Sequence, residues 1–97
     1  MREDAGSQDR LRIDKWLWHA RVVKTRTLAS KFVAEGHVRV NGTRTVAPDK
    51  AVKPGDVLTI ALERTVRVYR IVGLGEHRGP ATEARELYED LSPEPPC

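Results

Sequence analysis

Apolar positions along this chain change their spacing twice. From residue 13 the period is helical: Ile13, Trp16, Leu17 and Ala20 fall at i, i+3, i+4 and i+7, one face of a helix over about 13–22. Lys15 and His19 share the outward side, and Trp18 lies between the two faces. A break at Lys24-Thr25-Arg26 separates this from a second helix over about 27–35, with Leu28, Phe32, Ala29 and Val33 as its buried stripe. Thr25 or Thr27 offers a hydroxyl cap at its start, and Gly36 suits the left-handed position just past its end.

After Gly36 the period drops to two. Val38 and Val40 alternate with Arg39, Asn41-Gly42 gives a two-residue hairpin signal, and residues 43–46 form the return strand. Pro48-Asp49 and Pro54-Gly55-Asp56 mark turns around Val52, and residues 57–62 and 65–72 read as two further strands. Gly73, Gly75 and Gly79-Pro80 interrupt the chain. A terminal helix over about 81–91 would bury Ala84, Leu87, Tyr88 and Leu91 and stop at the prolines 93, 95 and 96. Two helices, three to four short antiparallel strands and a C-terminal helix predict an α+β unit without internal repeat. Trp16, Leu17, Leu28, Phe32, Val40, Val57 and Ile60 are its expected core. Residues 1–9, polar and aperiodic, read as a disordered leader, residues 10–91 as the domain, and residues 92–97 as a flexible proline-rich tail.

At 97 residues this is one small domain. With 39% hydrophobic and 32% charged residues it is apolar enough to fold. No run approaches the roughly 20 apolar residues of a spanning helix, so no membrane association is expected. Met1-Arg2-Glu3-Asp4 does not lead into a secretory apolar stretch. The single cysteine, Cys97, allows no internal disulfide and no cysteine-rich metal site, which points to a reducing cytoplasm.

Charge placement changes the picture more than net charge does. Residues 10–44 hold nine basic side chains (Arg10, Arg12, Lys15, Arg21, Lys24, Arg26, Lys31, Arg39, Arg44) against Asp14 and Glu35, a net of +7, which leaves −4 elsewhere from the overall +3. Such segregation predicts a face toward a polyanion. Enzymatic motifs are missing: no serine on a glycine elbow, no phosphate-binding glycine loop, no zinc-spaced Cys/His cluster. Asp14 and Glu35 read as intramolecular partners of arginines, with Arg21 a candidate for Asp14. No catalysis, cofactor or metal is expected.

Lys24 and Arg26 stand where the second helix begins, with Lys31 in its early turns. The helix dipole disfavours cations there, and the conflict is relieved if an anion occupies the site. Free backbone N–H groups, the Thr25 hydroxyl and these cations would together cradle a phosphate. Trp18, beside His19, is a candidate for stacking on a base.

The run from Arg12 through Asp14-Lys15-Trp16-Leu17-Trp18-His19 to Arg21, Lys24-Thr25-Arg26 and Ala29-Ser30, followed by Gly36, Asn41-Gly42 and Pro54-Gly55-Asp56, resembles the S4 RNA-binding domain. Within that superfamily the stretch Asp14–Arg21, with Glu63–Val66 and Arg78–Ala84, resembles the heat shock protein 15 family of small ribosome-associated proteins. The resemblance covers about residues 10–91. It implies an S4-type fold in which the helix pair and hairpin form the RNA surface. Arg12, Lys15, Arg21, Lys24, Arg26, Ser30 and Lys31 match its helical positions, and Arg39, Asn41 and Arg44 its hairpin. It further implies a partner, the free large ribosomal subunit holding a nascent chain on transfer RNA, and a part in recycling stalled subunits after heat stress. Family members usually continue into a Lys/Arg-rich tail, where this chain reads Glu89-Asp90-Leu91-Ser92-Pro93-Glu94.

The free chain is expected to be a monomer. Rival readings use the same features. A DNA-binding module would use the same positive face on duplex DNA. An S4 appendage of an RNA-modifying enzyme, such as a pseudouridine synthase, would need a longer chain. An adaptor would act through the acidic terminal segment (Glu83, Glu86, Glu89, Asp90).

Overall fold

The computed structural model describes residues 10–75 and 79–92; the leader expected over residues 1–9, His77, Arg78 and the tail beyond Ser92 lie outside them. The elements run β1 (Leu11–Arg12), α1 (Ile13–His19), α2 (Arg26–Ala34), β2 (Val38–Val40), β3 (Thr43–Thr45), β4 (Ala51–Val52), β5 (Val57–Ala61), β6 (Val66–Ile71), α3 (Ala81–Ala84), a 3-10 turn (Arg85–Leu87) and β7 (Tyr88–Asp90). The expected α+β architecture is present. Five strands form an antiparallel sheet in the order β3-β2-β5-β6-β7, and β1 pairs with β4 in a separate two-stranded ribbon.

Both early helices end in the same way. After α1 the N–H of Arg21 donates to Trp18 O (3.1 Å) and that of Val22 to Leu17 O (2.9 Å). After α2 Gly36 donates to Val33 O and His37 to Phe32 O. This paired closure requires a left-handed residue, supplied by Gly36 (φ 85°) in one case and Arg21 (φ 61°) in the other. The first helix therefore stops at His19, short of the predicted residue 22.

The core lies between these helices and one face of the sheet. Ile13, Trp16, Leu17, Ala29, Val33, Val38, Leu58 and Ile60 are fully buried. The buried stripe of α2 is Ala29 and Val33, with Phe32 half-buried. Leu28, expected in the core, is 48% exposed, and Val57 is half-buried on the outward side of β5. The α2 stripe is thus rotated toward its smaller residues, because α1 packs close against it. His19, read as outward, is buried instead, with Nδ1 3.1 Å from Leu74 O beneath the 73–75 segment.

The C-terminal helix begins where predicted but covers only Ala81–Ala84. Residues 88–90, expected as its last turns, form the edge strand β7. Tyr88 pairs with Ile71, stacks on Tyr69 (centroids 4.0 Å) and meets Trp16 edge-on at 6.3 Å. Those ring contacts and the ladder outweigh a helical continuation, and Leu91 is left exposed. Arg67 pairs with Asp90 and Arg70 with Glu89 (2.7 Å), so half of the acidic terminal surface is matched within the sheet. Tyr88→Ala is expected to destabilise the fold by about 1–2 kcal/mol, counting the lost aromatic pairs and burial. A thermal melt would then fall by roughly 4–8 °C per kcal/mol for a domain of this size; an unchanged melt would show the segment to be an appendage.

Candidate nucleic-acid interface

The hairpin is held by its own turn residues. Asn41 (φ 51°) and Gly42 (φ 87°) are both left-handed, as a tight two-residue turn requires. The Asn41 side chain is engaged inside the fold: Nδ2 donates to Asp56 Oδ1 (3.2 Å) and Oδ1 accepts from Val57 N (2.9 Å). Asp56, buried, also accepts from Lys53 N and Lys53 Nζ, each at 3.1 Å. Burial pushes its carboxyl up, but the bonds from Asn41 and Lys53 outweigh this and hold it below the usual carboxylate range. The Pro54-Gly55-Asp56 motif thus clamps the base of the hairpin.

This clamp fixes which side chains face outward. Val38 and Val40 turn into the core, so Arg39 faces out, and Arg44 stands directly opposite it across β2–β3. Two like charges in register destabilise a strand pair unless an anion lies between them. Neither makes an ion pair among the described residues. They line a shallow cleft with Gly36, His37, Thr59, Ala61 and Val66. The Arg44 side chain lies so close to Gly36 that a Cβ there would sit 3.3 Å from its Nε, which ties the hairpin to the end of α2.

The start of α2 supplies a second group of cations. Thr25 is the N-cap, its Oγ1 accepting from Leu28 N at 3.0 Å, and no acidic residue occupies the first turn. The N–H groups of Arg26 and Thr27 have no partner among the described residues. Lys24 and Arg26 are exposed on either side of the cap, and Lys31 is exposed further along the helix. None of the three is ion-paired among the described residues.

Several other predicted site residues also make contacts within the fold. Arg12 grips Asp14 through two hydrogen bonds (Nε 3.1 Å, Nη2 2.9 Å), and Ser30 donates to the same carboxylate at 2.7 Å. The arginine partner of Asp14 is therefore Arg12, not Arg21. Burial pushes the Asp14 carboxyl up, yet the bonds from Arg12 and Ser30 and the Arg12 charge bring it below the usual range. The guanidinium of Arg12 is held above its ordinary value by the same bond. Arg21 donates through Nε to Gly79 O (2.7 Å). Glu35 lies 3.4 Å from His37, not against an arginine. Trp18 is half-buried, tilted against His19 at 5.6 Å. Lys15 is half-exposed on α1.

Three cations escaped the sequence reading as site residues. Arg10, Lys50 and Lys53 line a cleft with Asn41 and Asp56, and Lys50 also borders the adjoining cleft with Arg44, Thr43 and Thr45. Their approach depends on the β1–β4 pairing, in which Leu11 faces Val52 and Arg12 faces Ala51. That pairing has no local sequence signal. Among the described residues there is no group of three metal-ligating side chains, and no helix is long and apolar enough to cross a membrane.

A helix pair clamped to a hairpin, both displaying cations without an acidic partner among the described residues, is the arrangement expected of an S4 domain, and the S4 domain family model matches residues 11–58. Heat shock protein 15 of Escherichia coli (strain K12) is 41% identical over 82 residues, covering 84% of this chain and 61% of that protein. The chain thus spans about three fifths of that relative's length. The trimeric structure of Vibrio cholerae heat shock protein 15 superposes with a TM-score of 0.80 at 37% identity, covering 87% of this chain and 84% of that one. The RQC P-site tRNA stabilizing factor of Listeria innocua serovar 6a is 34% identical over 84 residues, 87% of this chain and 89% of that protein. This chain belongs to the heat shock protein 15 family of S4-domain proteins.

Proposed function

We propose that this protein is a non-catalytic, cytoplasmic RNA-binding protein that docks as a single copy on structured ribosomal RNA. Its target is the free large ribosomal subunit still holding a stalled nascent chain on transfer RNA, and its role is rescue of such subunits under heat stress. The observation that carries this reading is the register-matched Arg39–Arg44 pair, outward-facing and without an acidic partner among the described residues. Lys24 and Arg26 around the open start of α2 extend the same surface, and Lys15, Arg21 and Lys31 lie on or beside the same helix pair. The peptidyl-tRNA part draws support from the Listeria relative, whose name concerns P-site tRNA. Recognition runs through phosphates and helix shape, as expected where the deep, narrow major groove of A-form RNA keeps side chains from the base edges.

About five simultaneous phosphate contacts would give a log–log salt slope near −4. Co-sedimentation with separated ribosomal subunits at two ionic strengths, with and without peptidyl-tRNA, tests the reading. The protein is expected in the large-subunit pellet, most of all with peptidyl-tRNA present, and to be released as salt rises. A flat salt response, or equal retention by the small subunit, would contradict it. Duplex DNA is expected to compete poorly at equal salt, and sedimentation of the free chain tests the single-copy state.

A further inference from the structure

We infer that the groove on the outer side of α2 is a seat for one unpaired nucleobase, a reading that rests on the RNA-binding function proposed above. The groove is open and runs between the loop after α1 and the surface of α2. Its floor is Val22, Val23, Leu28 and Phe32, and its edges carry Lys24, Lys31 and Glu35. Leu28 is 48% exposed there, a large apolar side chain left in solvent by the rotation of α2 toward Ala29 and Val33. Phe32 is half-buried and packs against the His37 ring at 5.0 Å, so the aromatic part of the floor is held in place. Glu35 lies 3.4 Å from the His37 imidazole, whereas Lys24 and Lys31 have no acidic partner among the described residues.

An apolar floor with unpaired ammonium groups at its edge matches a ligand whose middle is flat and apolar and whose flanks are anionic. Within RNA that description fits a base turned out of the helix between its two phosphates. A paired base in an A-form helix cannot lie on such a floor, because both of its faces are covered by the stacked neighbouring bases. Stacking on aromatic and apolar surface tolerates any base, so the seat selects a bulge or loop, not a sequence. Lys24 then links this seat to the phosphate surface at the start of α2.

The test compares two RNA hairpins with the same paired stem, each closed by a polyether linker in place of a nucleotide loop, one fully paired and one with a single bulged 2-aminopurine, against the full chain and its Leu28→Gln variant. Leu28 is exposed, so the substitution is not expected to alter the fold, and a thermal melt checks this. The parent chain should bind the bulged hairpin about tenfold more tightly than the paired one, with a change in 2-aminopurine fluorescence on binding. Leu28→Gln should bring the two affinities within about twofold and remove the fluorescence change. Equal binding of both hairpins by the parent overturns the seat and leaves the RNA-binding reading standing. Persistence of the preference in Leu28→Gln also overturns it. A change in the sedimentation coefficient of the free chain on Leu28→Gln would mark the groove as a contact between copies. Failure to bind either hairpin at low salt would overturn the RNA-binding reading together with the seat.

Discussion

The double variant Lys24→Ala/Arg26→Ala is expected to bind large-subunit RNA more weakly by about 1–3 kcal/mol and to flatten the log–log salt slope by roughly 2. Its thermal stability should be unchanged or higher. Both halves follow from the same geometry. The two cations flank Thr25, the cap of a helix whose first turn holds no acidic residue, and the N–H groups of Arg26 and Thr27 are open. A positive charge there opposes the helix dipole by about 0.3–1 kcal/mol, so its removal relieves the free protein. The same charge is favourable only when a phosphate arrives, and each lost phosphate contact removes about one counterion from the salt dependence. Filter binding at several salt concentrations, paired with melts, separates the cases. Equal losses of affinity and stability would make the residues structural, and unchanged affinity would make them solvated charge.

What the sequence disclosed depended on whether the deciding interaction was local. The end of α2 was legible because Gly36 supplies the left-handed residue. The equivalent position after α1 is Arg21, which carries no such signal, so periodicity alone runs the helix on to residue 22. The Asn41-Gly42 turn was legible for the same reason as Gly36, but the destination of the Asn41 side chain was not, since Asp56 and Val57 come to it through the fold. Tyr88 fits a helical stripe as well as a strand, and only its meeting with Tyr69, Ile71 and Trp16 decides between them.

The interface followed the same division. Charge segregation is visible in sequence because it fills one contiguous stretch, residues 10–44, and the cations around Thr25 because they are its immediate neighbours. Arg39 and Arg44 are five residues apart in the chain, and the pairing register makes them direct neighbours. Arg12 and Ser30 match S4 RNA-surface positions in sequence, and both also hold Asp14, a partner of Ser30 that only the packing of α1 on α2 brings close. The Lys50 and Arg10 contributions required the β1–β4 ribbon, which joins segments far apart in the chain.

Asp14→Ala is expected to destabilise the protein by about 2–4 kcal/mol, through loss of a buried carboxylate with charge-assisted bonds. The Asp14 side chain is 2% exposed and joins three segments: Arg12 of β1, its own helix α1, and Ser30 of α2. Alanine leaves the half-buried Ser30 hydroxyl without this acceptor and releases the guanidinium that closes the site. The pH dependence carries the same signature. Because the folded carboxyl titrates below its unfolded value of about 3.9, its contribution is complete above that value and is lost as pH falls through the folded one. Asp56 acts with the same sign at the base of the hairpin. The melting temperature of the parent should therefore be nearly flat from about pH 7 to about pH 5 and fall below about pH 4. Asp14→Asn, which keeps the shape and one acceptor, should melt lower at neutral pH and lose less on acidification. An acid limb identical in parent and Asp14→Asn would mean that the carboxylate does not hold the helix pair together, and α2 would then need another anchor for the cations it presents.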